Sequence, residues 1–495
     1  MRRALLLTGA LAALLAAAPA HASRVQRSIF EDDQTLVLSS ATIRERTLTD
    51  LQTLGVDTIH SVVFWSKVAP AALSTHRPSG FDGSNPAAYP ASFWDRYDGL
   101  VRGAQARGMD VLLSPSSPMP AWASTCHASL KVRKVCRPNP TQFKRFVQAL
   151  GTRYSGSYAD ENQGGGVLPR VARWSIWNEP NQGGWLQPQR TKRGAVAPMI
   201  YRQLVRAAIL GLRASGHGSD EILFGETAPI GRSSGPAASR PTPPGTFLRD
   251  ALCIDSRGRA LRSRALDCRG GFGGRLAVTG VAHHPYTRGG SQPPTSKGSS
   301  SEITISSISR LKTILRQAGA KRRIPRNLPI QYTEFGFQTN PPDGLFGVSL
   351  AKQAAWINES DFIAWHDSRV RAVAQYEMRD EASLSAFQSG LRFNDGRAKP
   401  SWAAYRLPLW VAKRGSKLLV WGQLRPAADG AVEQVDIQNA TGARGPFTSV
   451  RTLQVTSRKG FFNVMLPKRA GVWRVSWTPS TGGGAILSRV ARPGR

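Results

Sequence analysis

The chain has 495 residues, 41% of them hydrophobic, and 66 Lys and Arg against 32 Asp and Glu give it a net charge of +34. This length suits one large and one small domain of a globular protein. After the first 22 residues, no stretch is long and apolar enough to span a membrane. The charge attracts polyanions, so nucleic acid, acidic polysaccharide and anionic cell wall are candidate partners; a solvated, Arg-rich surface is the alternative.

The first 22 residues have the pattern of a secretory signal peptide. Arg2 and Arg3 precede an apolar run from Ala4 to Ala18, and Ala20-His21-Ala22 is a small-x-small cleavage site. We expect cleavage near Ala22–Ser23 and a secreted, extracellular protein. A retained N-terminal anchor is the less favoured alternative, because the run is short for a membrane span.

From residue 23 to about 412, candidate strands and amphipathic helices alternate, which predicts a parallel sheet with crossover helices. The candidate strands are Gln26–Glu31, Asp57–Trp65, Asp110–Ser114, Val171–Asn178, Ile222–Glu226, Ala277–His284, Pro329–Glu334 and Val370–Met378. The helical stretches include Thr42–Leu54, Phe93–Arg107, Pro140–Tyr154, Met199–Ala214, Ile303–Ala318 and Ser349–Trp365. Eight such units predict an α/β fold, a (β/α)8 TIM barrel over residues 23–412, with its active face at the strand C-termini.

Short alternating strands follow, which predict a small β-sandwich over residues 415–478. They are Lys417–Leu424, Val432–Gln438, Thr448–Val455, Gly460–Leu466 and Gly471–Trp477. The sandwich could bind carbohydrate, anchor the protein or pack on the barrel. The tail over residues 479–495, Gly-rich and then basic, is predicted to be disordered.

The four cysteines suit an oxidising compartment. Cys126 and Cys136 bracket one short basic loop, and Cys253 and Cys268 bracket another. Of the three possible pairings we favour these two local ones, because each would staple a loop. A zinc site is the rival interpretation, but the sequence has no C-x-x-C pair.

Two strands end in glutamates, which is what glycoside hydrolysis requires. The run Val171–Trp177 leads into Asn178 and Glu179, where Pro180 stops the strand because it has no N–H. Glu179 is the candidate acid, and Asn178 is placed to bind a sugar hydroxyl. A second run, Leu328 to Thr333, ends in Glu334, the candidate nucleophile.

Other residues near strand ends are candidates for the same site. Tyr286 is predicted to hold Glu334 in position and ionised, and His284 to bind substrate or tune the acid. Aromatic rings stack on the C–H faces of sugars, so we list Trp65, Trp122, Trp185 and Tyr376 as candidate substrate contacts, with Trp122 and Trp185 first. No acidic partner stands at ligand spacing from the histidines, so no metal and no other cofactor are expected.

The sequence resembles the retaining glycoside hydrolases of clan A, most closely family 39 or family 5 of the secreted actinobacterial type. The matching stretches are 177–181, 284–286, 333–336 and 390–400. The resemblance implies that Glu179 is the acid/base, Glu334 the nucleophile, Asn178 the contact to the 2-hydroxyl and Tyr286 the partner of the nucleophile. His60 stands where many relatives have an Arg, and Tyr376 where many have a Trp.

We therefore expect a secreted retaining glycosidase, a monomer, that cleaves a poly- or oligosaccharide by double displacement. One alternative is a barrel that binds a glycan or an anionic cell-wall polymer without catalysis. The other is a nucleic-acid-binding protein, but the basic residues are scattered along the chain and a dedicated nucleic-acid site is not indicated.

Overall fold

The structure, a computed structural model, describes residue 23 and residues 25–161, 166–288, 291–427 and 429–494. The predicted signal peptide lies outside the described residues. Eight parallel strands close into a barrel in the order β1-β8-β7-β6-β5-β4-β3-β2, which confirms the predicted TIM barrel. Among the described helices, none has the length and apolar character needed to cross a bilayer.

The barrel strands are β1 Arg27–Glu31, β2 Thr58–Phe64, β3 Asp110–Ser116, β4 Arg173–Ser175, β5 Glu221–Thr227, β6 Gly280–His283, β7 Ile330–Tyr332 and β8 Val370–Tyr376. Phe30 of β1 pairs with Ile59 on one side and with Gln375 on the other, which closes the ring. Strand β4 ends earlier than predicted, because the backbone turns at Trp177, which has a φ of 67°.

The helices are α1 Asp33–Leu36, α2 Ala41–Thr53, α3 Trp65–Val68, α4 Ala91–Gln105, α5 Leu130–Arg133, α6 Pro140–Arg153, α7 Ala197–Ala214, α8 Pro244–Ala251, α9 Ser309–Ala320, α10 Leu350–Trp365 and α11 Pro400–Arg406. Their starts follow the expected chemistry. Asn139 caps α6 ahead of Pro140, and Ser349 caps α10, so side-chain oxygens satisfy free N–H groups of the first turn.

Apolar side chains fill the barrel from both sides of the sheet. Leu112, Leu223 and Ala282, from β3, β5 and β6, form a small cluster of their own, while a much larger cluster joins the outer faces of the strands to the helices. Polar side chains, in contrast, gather where the strands end. The packed interior therefore leaves the strand C-termini free to build a site.

The C-terminal region forms two antiparallel sheets. Its strands are β9 Leu409–Arg414, β10 Lys417–Gln423, β11 Glu433–Ala440, β12 Thr448–Val455, β13 Phe461–Pro467, β14 Val472–Trp477 and β15 Ile486–Leu487. One sheet has the order β9-β10-β13 and the other β12-β11-β14-β15. Side chains of both sheets share one buried cluster, as expected for a sandwich.

The prediction of a disordered tail from residue 479 is wrong for much of that segment. Strand β15 pairs with β14, Ala491 exchanges backbone hydrogen bonds with Trp473, and Gly494 bridges to Ala412 of β9. Ala491 is buried. The segment is ordered because its backbone completes both sheets, which its Gly-rich and basic composition did not reveal.

The sandwich packs against the barrel through aromatic and ionic contacts. Trp421 of β10 lies 5.9 Å from Trp365 and 5.7 Å from Phe362 of α10, measured between ring centres. Lys459 pairs with Asp57 at 2.7 Å. Because these contacts are largely buried, the two regions form a continuous body.

The two predicted local disulfides are present. Cys126 is bonded to Cys136, and Cys253 to Cys268. Each closes a loop outside the strands, which is compatible with a protein of an oxidising, extracellular compartment.

Candidate active site

Glu179 and Glu334 converge at the C-terminal face of the barrel. Carboxylate oxygens of the two residues and the Nδ1 atom of His284 lie within 4.8 Å of one another. Glu179 follows β4 with a φ of 36°, a left-handed conformation that is uncommon outside glycine and characteristic of functional sites. The local backbone therefore turns the carboxyl of Glu179 toward that of Glu334.

The hydroxyl of Tyr286 contacts one carboxyl of the pair, that of Glu334. It donates a hydrogen bond of 2.8 Å to Glu334 Oε1, as the sequence predicted. Donation to a carboxylate favours its ionised form. Burial raises the pKa of Glu334 to about 8, reinforced by Glu31 and Glu179 and opposed by His284 and Tyr286. Burial therefore favours the protonated form of Glu334 at neutral pH, whereas the Tyr286 hydroxyl favours its ionised form.

His284 lies beneath the pair and is fully buried. Its Nδ1 atom is 3.2 Å from both Glu179 Oε1 and Glu334 Oε2, and its Nε2 atom is 2.6 Å from Glu226. Both ring nitrogens thus face carboxylates, which corrects the prediction that His284 contacts substrate. These contacts suit the alternative role that the sequence allowed, tuning the acid pair.

The electrostatics of His284 follow from these neighbours. Burial disfavours its charged form, yet Glu334, Glu179 and Glu226 hold the pKa of His284 well above its usual range. The two carboxylates and Nδ1 lie as close together as metal ligands do, and in the protonated imidazole Nδ1 donates a hydrogen bond between them. The geometry is that of an ion network.

The network continues through the barrel interior to His60 and Glu31. His60 Nδ1 is 2.8 Å from Glu31 and its Nε2 is 3.8 Å from a Glu226 oxygen. Burial opposes the charge, but Glu31 and Glu226 raise the pKa of His60 to about 9. The two histidines lower the pKa of Glu226 to about 2 against the effect of burial. Acidic and basic groups therefore alternate from Glu31 to the pair.

A cavity of about 680 Å³ opens above the pair. Of the predicted substrate contacts, Asn178, Trp185, Tyr286 and Tyr376 line it. The side-chain oxygen of Asn178 is buried and has no hydrogen-bond partner among the described residues, so it is free to accept a hydrogen bond from a ligand.

Trp65 and Trp122 do not line the cavity, so their prediction as substrate contacts is corrected. Trp65 is fully buried and stacks on Phe146, with ring centres 5.0 Å apart. Trp122 packs edge-on against Trp65 and donates its indole N–H to the carbonyl of Pro70. Both are held in the core between the strands and the outer helices.

Further residues line the cavity, and of these Phe64, Glu31, Asp33 and Glu381 were not predicted. Phe64 stacks on Trp185, Phe387 packs edge-on against Tyr376, and four further carboxyls reach the wall: Glu31, Asp33, Glu377 and Glu381. Glu31 and the network residue Glu226 end two of the predicted strands, which is the signal that would have found them. Carboxylates and flat rings together suit a ligand with many hydroxyls and apolar C–H faces.

No model of a known protein family matches the sequence, and no curated protein matches it. Similar solved structures include a monomeric β-xylosidase from Caulobacter crescentus, with 16% identity, a TM-score of 0.50 and coverage of 96% of this chain and 99% of that one. A family 51 α-L-arabinofuranosidase from Bifidobacterium longum has 13% identity, a TM-score of 0.48 and coverage of 93% and 97%. A family 1 β-glucosidase from Thermotoga maritima has 13% identity and a TM-score of 0.44, and the match covers 73% of this chain and 84% of that one. The likeness to the β-xylosidase agrees with the predicted (β/α)8 barrel and extends to the fold alone.

Proposed function

We propose that the chain is a secreted retaining glycoside hydrolase, with Glu179 as acid/base and Glu334 as nucleophile. The observation that carries the proposal is the spacing of the two carboxyls, whose oxygens lie within 4.8 Å of each other on the floor of the cavity. Retaining enzymes place their carboxyls about 5–5.5 Å apart, whereas inverting enzymes need about 6.5–9.5 Å to admit water between them.

In the first step, Glu179 donates its proton to the glycosidic oxygen while Glu334 attacks the anomeric carbon. The C–O bond to the leaving group breaks, and a glycosyl ester forms on Glu334. In the second step, Glu179 removes a proton from water, which attacks the same carbon and expels Glu334 as a carboxylate. Two inversions restore the original configuration of the sugar.

The neighbours of the pair set the starting protonation state. The Tyr286 hydroxyl binds only Glu334, while His284 Nδ1 faces both carboxyls equally, so Tyr286 breaks the symmetry in favour of an ionised Glu334. A protonated Glu179 and an ionised Glu334 are the forms that the first step needs.

We propose that the substrate is a glycan bound with one sugar over the pair. Trp185 and Tyr376 offer rings at the cavity wall, and the free oxygen of Asn178 accepts a hydrogen bond from the sugar hydroxyl beside the reacting carbon. We propose that the chain acts as a monomer, because both carboxyls of the pair come from the same chain. The two disulfides support action outside the cytoplasm.

The test is a panel of β-xylosides, glucan, mannan, xylan, arabinan and an acidic exopolysaccharide, with product analysis by NMR. We expect one class to be cleaved, with the first-formed product retaining the anomeric configuration of the substrate. Glu334→Ala should abolish turnover while the thermal unfolding midpoint stays close to that of the wild type.

Two results would contradict the assignment. A Glu334→Ala variant with near-wild-type activity on the confirmed substrate would remove Glu334 as nucleophile, and an inverted first product would remove the double displacement. Glycan binding without hydrolysis across the whole panel would favour a non-catalytic binding protein instead.

A further inference from the structure

A dense cluster of positive charge lies away from the cavity, at the N-terminal ends of β6 and β7. There a groove of about 810 Å³, called the basic groove below, is lined by five cationic side chains: Arg275, Lys321, Arg322, Arg323 and Arg326. Arg275 precedes β6, and the other four lie in the loop from α9 to β7. A hydrogen bond of 2.9 Å from Leu276 N–H to the Arg323 carbonyl joins the two segments.

These cations have no counter-charge in the described part of the chain. No acidic residue lines the basic groove, and none of its five cations forms an ion pair with a described acidic side chain. Other basic side chains of the barrel are paired, such as Arg173 with Glu221 and Arg107 with Glu45. Like charges held together without a counter-charge repel, and a bound anion would relieve that repulsion.

The end of α9 accounts for only part of the cluster. Lys321, Arg322 and Arg323 directly follow its last residue, where cations stabilise the helix dipole by about 0.3–1 kcal/mol each. That effect falls off within one turn. It does not explain Arg275, which comes from another loop, or Arg326, which lies beyond that turn.

The wall of the basic groove is held in place from beneath. Three guanidinium groups surround the buried ring of Phe272, those of Arg202, Arg206 and Arg323, at 5.6, 5.1 and 4.8 Å from the ring centre. Arg202 also donates to the carbonyl of Leu266 at 2.7 Å. The loop that carries Arg275 is therefore fixed before any ligand arrives, which lowers the entropic cost of binding.

Within the described residues, one polar atom in this wall lacks a hydrogen-bond partner. The Nε atom of Arg323 is buried and has no hydrogen-bond partner among the described residues. Burial lowers the pKa of both Arg206 and Arg323. An arriving carboxylate or sulfate would supply the missing negative charge, since guanidinium groups bind such anions in a bidentate manner.

We propose that the basic groove is a binding site for an acidic polysaccharide, separate from the cavity and lying toward the opposite end of the barrel strands. The acidic groups of the polymer would contact Arg275, Lys321, Arg322 and Arg326, while its neutral sugars need no specific pocket. The proposal goes beyond glycoside hydrolysis, because it requires neither Glu179 nor Glu334.

The groove favours a polysaccharide over single-stranded nucleic acid and over a membrane surface. Single-stranded nucleic acid is bound on exposed aromatic platforms, but the one aromatic side chain lining the groove, Phe272, is only 6% exposed. Peripheral membrane binding uses an apolar face beside the charge, and none of the exposed large hydrophobic residues of the described chain lines the groove. The choice of a glycan also agrees with the proposed function.

The experiment compares two variants of the full chain. Each carries four substitutions, and the two have the same net charge. The groove variant carries Arg275→Ser, Lys321→Ser, Arg322→Ser and Arg326→Ser. The control carries Lys417→Ser, Arg46→Ser, Arg451→Ser and Arg469→Ser, exposed positions without ion pairs to described residues. The dissociation constant for polygalacturonate is measured by calorimetry between about 50 and 200 mM salt.

We expect the groove variant to lose about tenfold or more in affinity, with a shallower salt dependence, and the control to change by less than about twofold. Equal losses in both variants, or no loss in the groove variant, would overturn the site. Tighter groove-dependent binding to single-stranded DNA or to anionic phosphatidylserine vesicles than to polygalacturonate would overturn the class of partner. Since binding is measured without turnover, failure of the hydrolase assignment would leave this result intact.

Discussion

The cavity and the basic groove lie toward opposite ends of the same two strands and have opposite chemistry. Strand β6 has Arg275 before it and His284 after it, and β7 has Arg326 before it and Glu334 after it. At the C-terminal end, carboxylates alternate with histidines in a buried network. At the N-terminal end, cations stand together without counter-charges. The barrel therefore separates a site in which carboxylates pair with histidines from one in which cations have no acidic partner among the described residues.

The sharpest test of this separation is Glu334→Gln. We expect kcat to fall by more than about 10³-fold, because the nucleophile is lost, while the affinity of the basic groove for polygalacturonate stays within about twofold. Steady-state kinetics and calorimetry on one preparation measure both. Glu381→Gln, which also removes a cavity carboxyl, is the matched control, with an expected loss below about tenfold. Similar losses in the two variants would mean that the pair has no special role.

The next test removes the centre of the buried network. Glu226→Gln leaves His60 and His284 without the carboxylate that lies between them. Breaking a buried ion network typically costs about 3–5 kcal/mol in the free energy of unfolding. Denaturant unfolding should show that loss, whereas Glu221→Gln, at the other end of the same strand and partly exposed, should cost about 1 kcal/mol or less. Equal stabilities of the two variants would argue against the network.

A smaller effect is expected from Tyr286→Phe. A hydrogen bond to a charged group contributes about 1.5–3 kcal/mol, so kcat/KM should fall about 10- to 100-fold. The pH profile adds a second readout. Because burial raises the pKa of Glu334 to about 8 and the nucleophile must be ionised to attack, wild-type activity should rise as the pH rises through about 8. Loss of the Tyr286 donor disfavours ionised Glu334, so the acid limb should move to higher pH. An unchanged acid limb would leave Tyr286 with a packing role only.

The smallest effect on binding or activity should follow removal of the disulfide behind the basic groove. Replacing Cys253 and Cys268 by Ser opens a loop whose ends are 15 residues apart, which costs about 3 kcal/mol of stability in the chain-entropy model. We expect a few-fold weaker polygalacturonate binding and an unchanged kcat, because the loop of Arg275 loses its anchor. The matched double variant at Cys126 and Cys136 should leave groove binding unaltered. Equal binding losses in both would point to general destabilisation.

The sequence was informative where a residue's position along a strand decides its location. Glu179 and Glu334 follow the ends of strands, and the C-terminal ends of all strands in a parallel barrel lie at the same face. The same rule applied to Glu226 and Glu31. These two were missed because a buried carboxylate that pairs with distant histidines has no recognisable sequence motif. The two local disulfides were predicted because each pair closes a short loop.

The sequence was misleading where the direction of a side chain decides. Trp65 and Trp122 lie close to strand ends, yet both rings point into the core. The sequence alone does not distinguish a tryptophan of the core from one that lines a cavity. The basic groove was missed because Arg275 and Arg326 are 51 positions apart in the chain, so charges that look scattered converge only after folding.

The ordered tail has a consequence for solubility. A sheet ends in strands whose outer N–H and C=O groups invite pairing with another molecule, and such edges are starting points for aggregation. The last residues of the chain cross between the two sheets of the sandwich: β15 extends one of them, and Gly494 pairs beside β9 of the other. Residues 486–494 thus cover edges of both sheets, and we expect their removal to expose unpaired backbone groups that favour self-association.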